Sequence, residues 1–172
     1  MRFEGEESAD GRRFRFRLES FEGRVRRERV EGVAELRPPV GGIARFSGPP
    51  GLLLELPPDT VFPVRQLEDV LGTLTRAPAL LHHRIFDGSA PEPPVLLAAF
   101  AGRAAASGGE RLWPLAMAWF DPSDPGSTPL FELEARTDAE GIFREIRLDF
   151  GALVLEGRAV RIERLPSPRC PR

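Results

Sequence analysis

The chain has 172 residues and a mass of 19.1 kDa, enough to bury a sizeable core in one domain. Apolar residues make up 41% and charged residues 29%, the balance of a globular protein and not of a disordered or fibrous one. Formal net charge is -2, so the overall balance selects neither nucleic acid nor an anionic membrane, and no run approaches the roughly 18 apolar residues of a membrane span.

The first clear element is "GRRFRFRLESF", which alternates strictly. Phe14, Phe16 and Leu18 fall on one face and Arg13, Arg15 and Arg17 on the other, which predicts a half-buried strand. "RVEGVAELR" and "GIARFSG" read as further short strands punctuated by Gly and Pro, and "GLLLELP" as a more continuously apolar one. The period then changes. Val64, Leu67, Val70, Leu71 and Leu74 recur at helical spacing. Pro63 suits a first helical position, where its missing N–H had no partner to lose, and Pro78 stops the pattern. One amphipathic helix near 63–76, lying against a sheet, is expected.

Strands resume with "LLHHRIF", ended by the turn "DGS", and with "PVLLAAFAG". "RLWPLAMAWFD" puts Trp113, Leu115, Met117 and Trp119 on one face. "PLFELEART" and "IFREIRLDF" flank "DAEG", a four-residue hairpin turn. "ALVLEGRAVRIERL" reads as two short strands around Glu156 and Gly157, and Pro-rich patches at 49–58 and 121–129 read as loops. Many short strands and a single helix predict a mainly β, antiparallel protein.

The chemistry-bearing residues are few. His82 and His83 are the only histidines, and neighbours in a strand point to opposite faces. No other His or Cys lies nearby to complete a metal set, so no metal site is predicted. "VGG" and "SGGE" lack the spacing and the lysine of a phosphate-cradling loop, and no cofactor is implied. A hydrolase-type enzyme using His82, His83 and Asp87 is the enzymatic alternative; it has no Gly-x-Ser-x-Gly elbow and no Ser-x-x-Lys to support it. The plainer reading is a polar strand followed by a turn aspartate. The "RRFRFR" run invites a nucleic-acid reading, but its arginines and aromatics face opposite sides, and Glu4, Glu6, Glu7, Asp10, Glu19 and Glu22 offset its charge. Trp113, Met117 and Trp119 either pack a core or line a hydrophobic ligand site.

Five segments in order, "LPPDTVFPVRQLEDVL", "RIFDGS", "WPLAMAWFD", "TPLFELEAR" and "LDFGALVLEGRAVRIERLPSPRC", resemble the cell envelope integrity EipB family, over about Gly11 to Cys170. These are periplasmic proteins of Gram-negative bacteria, long described as a domain of unknown function. The resemblance implies antiparallel strands curled into an open barrel or β-spiral, with the helix near 63–76 against or inside it. It also implies a non-enzymatic periplasmic factor supporting envelope integrity. Such a factor works by binding a lipid, lipoprotein, glycan or protein partner; neither nucleic acid nor a transmembrane segment is expected. Candidate residues for a concave binding face are Phe14, Phe16, Trp113, Met117 and Trp119.

Two departures from the family stand out. The family's Asn-Gly turn reads "DAEG" here and its late tyrosine is Phe150, both conservative changes. More important, family members carry an N-terminal stretch with an export signal, several strands and a cysteine near a tryptophan. The start "MRFEGEESADG" has no apolar core of about 7–15 residues and by itself reads as cytosolic. In the family the C-terminal cysteine pairs with the N-terminal one, so the resemblance implies that the partner of Cys170 lies outside this chain. The expectation is one EipB-like β domain over 1–172 lacking its N-terminal strands, through a start assigned too late or a shortened member with a free thiol.

Overall fold

The computed structural model describes residues 1–47, 51–74 and 76–160. Five strands form a first sheet in sequential order: β1 (Arg2–Glu7), β2 (Arg13–Glu22), β3 (Val25–Leu36), β4 (Gly42–Phe46) and β5 (Leu52–Leu56). Then come β6 (Thr60–Val61), the helix α1 (Pro63–Leu74), β7 (Ala79–Ile85), β8 (Val95–Ala101), β9 (Ala105–Ser107) and β10 (Glu110–Phe120). The hairpin of β11 (Phe131–Thr137) and β12 (Phe143–Asp149) and the strand β13 (Val154–Arg158) follow. These strands make a second sheet in the order β13-β12-β11-β10-β8-β7-β6, with β9 pairing β10. All pairings are antiparallel except β6 with β7, where α1 supplies the crossover that a parallel pair needs. Neither sheet closes on itself, so the mainly β architecture with one helix is an open, barrel-like one.

Alternation along β2 sets the first sheet. Phe14 and Phe16 are buried while Arg13, Arg15 and Arg17 stay exposed. The arginines do not face solvent alone: Arg17 lies 3.3 Å from Glu31 and 3.6 Å from Glu4, Arg13 lies 3.8 Å from Glu35, and Arg15 lies 3.8 Å from Glu6. Inside, Phe14, Phe16, Ala34, Ala44 and Leu56 pack with Phe62 and Phe86, which directly follow β6 and β7. Phe16 meets Phe46 edge-on at 5.2 Å and Phe86 at 5.6 Å, and Phe14 stacks on Phe62 at 5.3 Å. Two glycines make the seat. A Cβ on Gly32 would lie 2.7 Å from the Phe16 ring, and one on Gly88, whose φ is +71°, would lie 2.3 Å from it.

The helix begins at Pro63 as expected and ends at Leu74, slightly short of the expected 76. Its inward stripe differs from the expected one. Gln66, Val70 and Leu74 are buried, whereas Val64 and Leu67 are exposed. The start of α1 is pinned from outside: the Glu7 carboxylate accepts hydrogen bonds from the Val64 N–H at 2.8 Å and the Arg65 N–H at 3.1 Å. A remote carboxylate thus does the work of an N-cap and also complements the helix dipole.

The remaining differences are local. β1 is an edge strand whose mostly charged sequence carries no alternation, and β6 and β9 are too short for a periodic signal. The Pro-rich patch at 49–58 holds β5 at its centre. β13 runs straight through Glu156 and Gly157, where a break was expected, because both residues stay in register with β12; the rest of the second expected strand lies outside the described residues. Residues 161–172, with Cys170, lie outside the described part, as does any pairing of that cysteine.

His83 faces the helix from β7. Its Nε2 lies 3.4 Å from the Asp69 carboxylate, which Arg65 also approaches at 3.2 Å. Burial holds the imidazole below the usual histidine range of about 6.5; Asp69 and Asp59 oppose that shift, and Arg65 and His82 add to it. The fold therefore prefers neutral His83, and the unfolded chain binds the proton more readily. This contribution is present above about pH 6.5 and is lost as pH falls below it. In urea unfolding, the stability difference between the native chain and His83→Gln should shrink from pH 8 to pH 5; a difference independent of pH would contradict this. Glu7→Ala should lower the unfolding free energy by about 1 kcal/mol in the same assay, and an unchanged midpoint would mean that the cap contributes nothing.

Candidate functional site

In an antiparallel sheet, directly opposed residues share a face, so register writes rows of side chains across the strands. On the helix side of the second sheet, Leu97, Ala99, Leu115, Met117 and Ala135 pack with Val70 and Leu74 of α1. The rows continue beyond the helix. Trp119 opposes Phe131, whose ring stacks at 4.2 Å, and Phe131 stacks at 5.7 Å on Phe150. Phe150 donates its N–H to the Leu153 carbonyl and brings that residue to the end of the row. The next row is Met117, Leu133, Leu148 and Leu155. Burial fades along both rows: Met117 is 7% exposed, whereas Phe150, Leu153 and Leu155 are 46%, 55% and 47% exposed. The result is an apolar shelf that starts in the core and runs out to the surface.

The opposite face of the same sheet is built differently. There a cleft of about 670 Å³ is lined by Phe100, Pro114 and Ala116 on one side. Glu134, Arg136, Glu145, Arg147, Glu156 and Arg158 line the other. Three acids and three arginines alternate in sign across β11, β12 and β13, with Arg136 3.5 Å from Glu145 and Arg147 3.9 Å from both Glu134 and Glu156. Sequence reading missed this set, because the alternation exists only once the strands are in register.

The candidate residues from the sequence fall into two groups. Phe14 and Phe16 are buried in the aromatic cluster of the first sheet. Met117 is buried in the second core, and Trp113 and Trp119 pack against it, with the Arg111 guanidinium 5.5 Å from the Trp113 ring. The two groups thus belong to separate cores; Met117 and Trp119 stand at the buried root of the apolar shelf. His82 and His83 point to opposite faces, His82 exposed on the cleft side and His83 toward Asp69. Asp87 accepts a hydrogen bond from the Ser89 N–H at 2.9 Å and serves its own turn. No nucleophile–base–carboxylate array joins these residues. Among the described residues no group of three or more His, Cys, Asp and Glu side chains is placed to hold a metal ion, and no helix is long and apolar enough to cross a membrane.

Comparison with known proteins fits this architecture. A crystal structure from Brucella abortus, a β-barrel-like protein of a domain of unknown function, superposes with a TM-score of 0.79 at 24% identity, over 92% of this chain and 70% of that one. The cell envelope integrity protein EipB of Brucella abortus (strain 2308) is 24% identical over 170 residues. That match takes in 91% of this chain, which spans 60% of the length of that relative. No enzymatic family is indicated. The EipB-like family model matches residues 1–166, and the chain belongs to the EipB-like family.

Proposed function

We propose that this protein supports the integrity of a bacterial cell envelope from the periplasm, as a single EipB-like domain that binds an apolar part of an envelope component and performs no chemistry on it. The name of its Brucella relative supports the envelope role. The observation that carries the binding role is the shelf: two adjacent apolar rows, buried at Met117 and open at Phe150, Leu153 and Leu155. A globular protein rarely leaves contiguous large apolar side chains exposed without a use for them.

In this reading the five sequence candidates have unequal parts. Trp119 and Met117 form the inner end of the ligand surface. Trp113 continues the same face, and Phe14 and Phe16 act from the other core by holding the first sheet in place. An acyl chain or an apolar protein segment laid along the rows would cover side chains that are each worth about 1.5–3 kcal/mol on full burial.

The test uses N-phenyl-1-naphthylamine, whose fluorescence rises in apolar sites, with tryptophan emission as the second readout. Binding should shift the emission of Trp119, which stacks in the row. Phe150→Glu and Leu155→Glu should each weaken the dye by about tenfold or more. Both positions are exposed, so their melting temperatures should stay close to that of the native chain. Undiminished dye binding in both variants would overturn the shelf as the ligand surface.

A further inference from the structure

We propose that the cleft on the other face of the second sheet is a separate site for one phospholipid molecule whose head carries both a phosphate and an ammonium, as phosphatidylethanolamine does. The site does not depend on the shelf, since the two lie on opposite faces of the same strands.

The first ground is a polarity gradient. One row of the cleft face reads Leu80, Phe100, Ala116, Glu134, Arg147, Glu156 from β7 to β13. Its first half is wholly apolar, with Leu80 and Phe100 exposed, and its second half is wholly charged. Neighbouring strands are about 4.8 Å apart, so each half extends roughly 10 Å. A molecule lying along this row must have one apolar end and one polar end. An extended peptide pairs along strands and would cross the gradient, whereas an acyl chain with its head group follows it.

The second ground is the pattern of charge. In the row beside it, Arg136, Glu145 and Arg158 stand next to Glu134, Arg147 and Glu156, so every charge has opposite charges around it. A purely anionic head placed on Arg147 would meet Glu134 and Glu156 at once. A head with phosphate and ammonium one strand spacing apart offers each sign to its complement. The Asp149 carboxylate, 2.9 Å from Arg147, holds the guanidinium in place. The other pairs are loose, at 3.5 Å for Arg136–Glu145 and 3.9 Å for Arg158–Glu145, Arg147–Glu134 and Arg147–Glu156. Loose exposed pairs contribute little to stability, so exchanging them for ligand contacts costs little.

The test is calorimetric titration of the full chain with dihexanoylphosphatidylethanolamine below its micelle concentration, against dihexanoylphosphatidylglycerol and chain-free glycerophosphoethanolamine. The ethanolamine lipid should bind about tenfold tighter than either of the others. Arg147→Glu should cost about tenfold, and Leu80→Glu, at the exposed apolar end of the row beyond the cleft, should cost as much. Phe150→Glu should leave this binding intact even where it abolishes dye binding on the shelf, which separates failure here from failure there. Equal binding of the glycerol lipid, equal binding of the free head group, an undiminished Arg147→Glu, or no binding would each overturn the proposal. Unchanged melting temperatures for both cleft variants exclude unfolding as the cause of a loss.

Discussion

The seating of Phe16 is the constraint on which the rest of this structure depends. Its ring meets Phe14, Phe46 and Phe86, and Phe14 reaches Phe62. Two of these partners come from the first sheet itself, and two come from the segments that open and close the β6–α1–β7 crossover. The cluster therefore fixes where the second sheet begins. Gly88 is required because the ring occupies the space its side chain would need, and Gly32 because the Arg45 carbonyl and then the ring would meet a Cβ there. Glu7 adds a polar tie from β1 to the same crossover, at the start of the helix. With α1 held at that end, its buried stripe shares a core with β7, β8, β10 and Ala135 of β11, while Leu155 of β13 stays exposed.

That partial cover gives the second sheet two surfaces of different chemistry. Phe150, Leu153 and Leu155 remain about half exposed, and the apolar rows run out to the surface. On the reverse face the same strands carry arginine and glutamate, which suits a solvated sheet surface. Where those charges meet Phe100 and Ala116 the surface changes character within a single row. Both surfaces follow from period-two alternation together with where the helix stops.

Much of the fold was legible in the sequence because that alternation is strong. "FRFRL" declares one buried face, and Trp113, Leu115, Met117 and Trp119 declare another. Pro63 marked the start of the helix correctly. Its rotation was not legible, since Gln66 turns inward in place of Leu67 against the apolar count of the helix itself. β1 was not legible because an edge strand needs only backbone pairing with β2, which its charged side chains do not advertise. The candidate surfaces were half legible. Each strand announced its own apolar face, but a row is a property of register. Phe150 opposite Phe131, or Arg147 between Glu134 and Glu156, cannot be read from any one segment.

The central claim is that apolar ligands without a paired-charge head meet this protein on the shelf and not on the exposed leucines of the first sheet. Leu52 and Leu53 on β5 provide the internal control, being 46% and 63% exposed on the first sheet. The most direct measurement is a leucine-methyl NMR titration of the full chain with monomeric dodecanoate. The account predicts shifts at Leu133, Leu148, Leu153 and Leu155, with Leu52 and Leu53 unmoved. Shifts confined to Leu52 and Leu53, or no shifts at all, would contradict it.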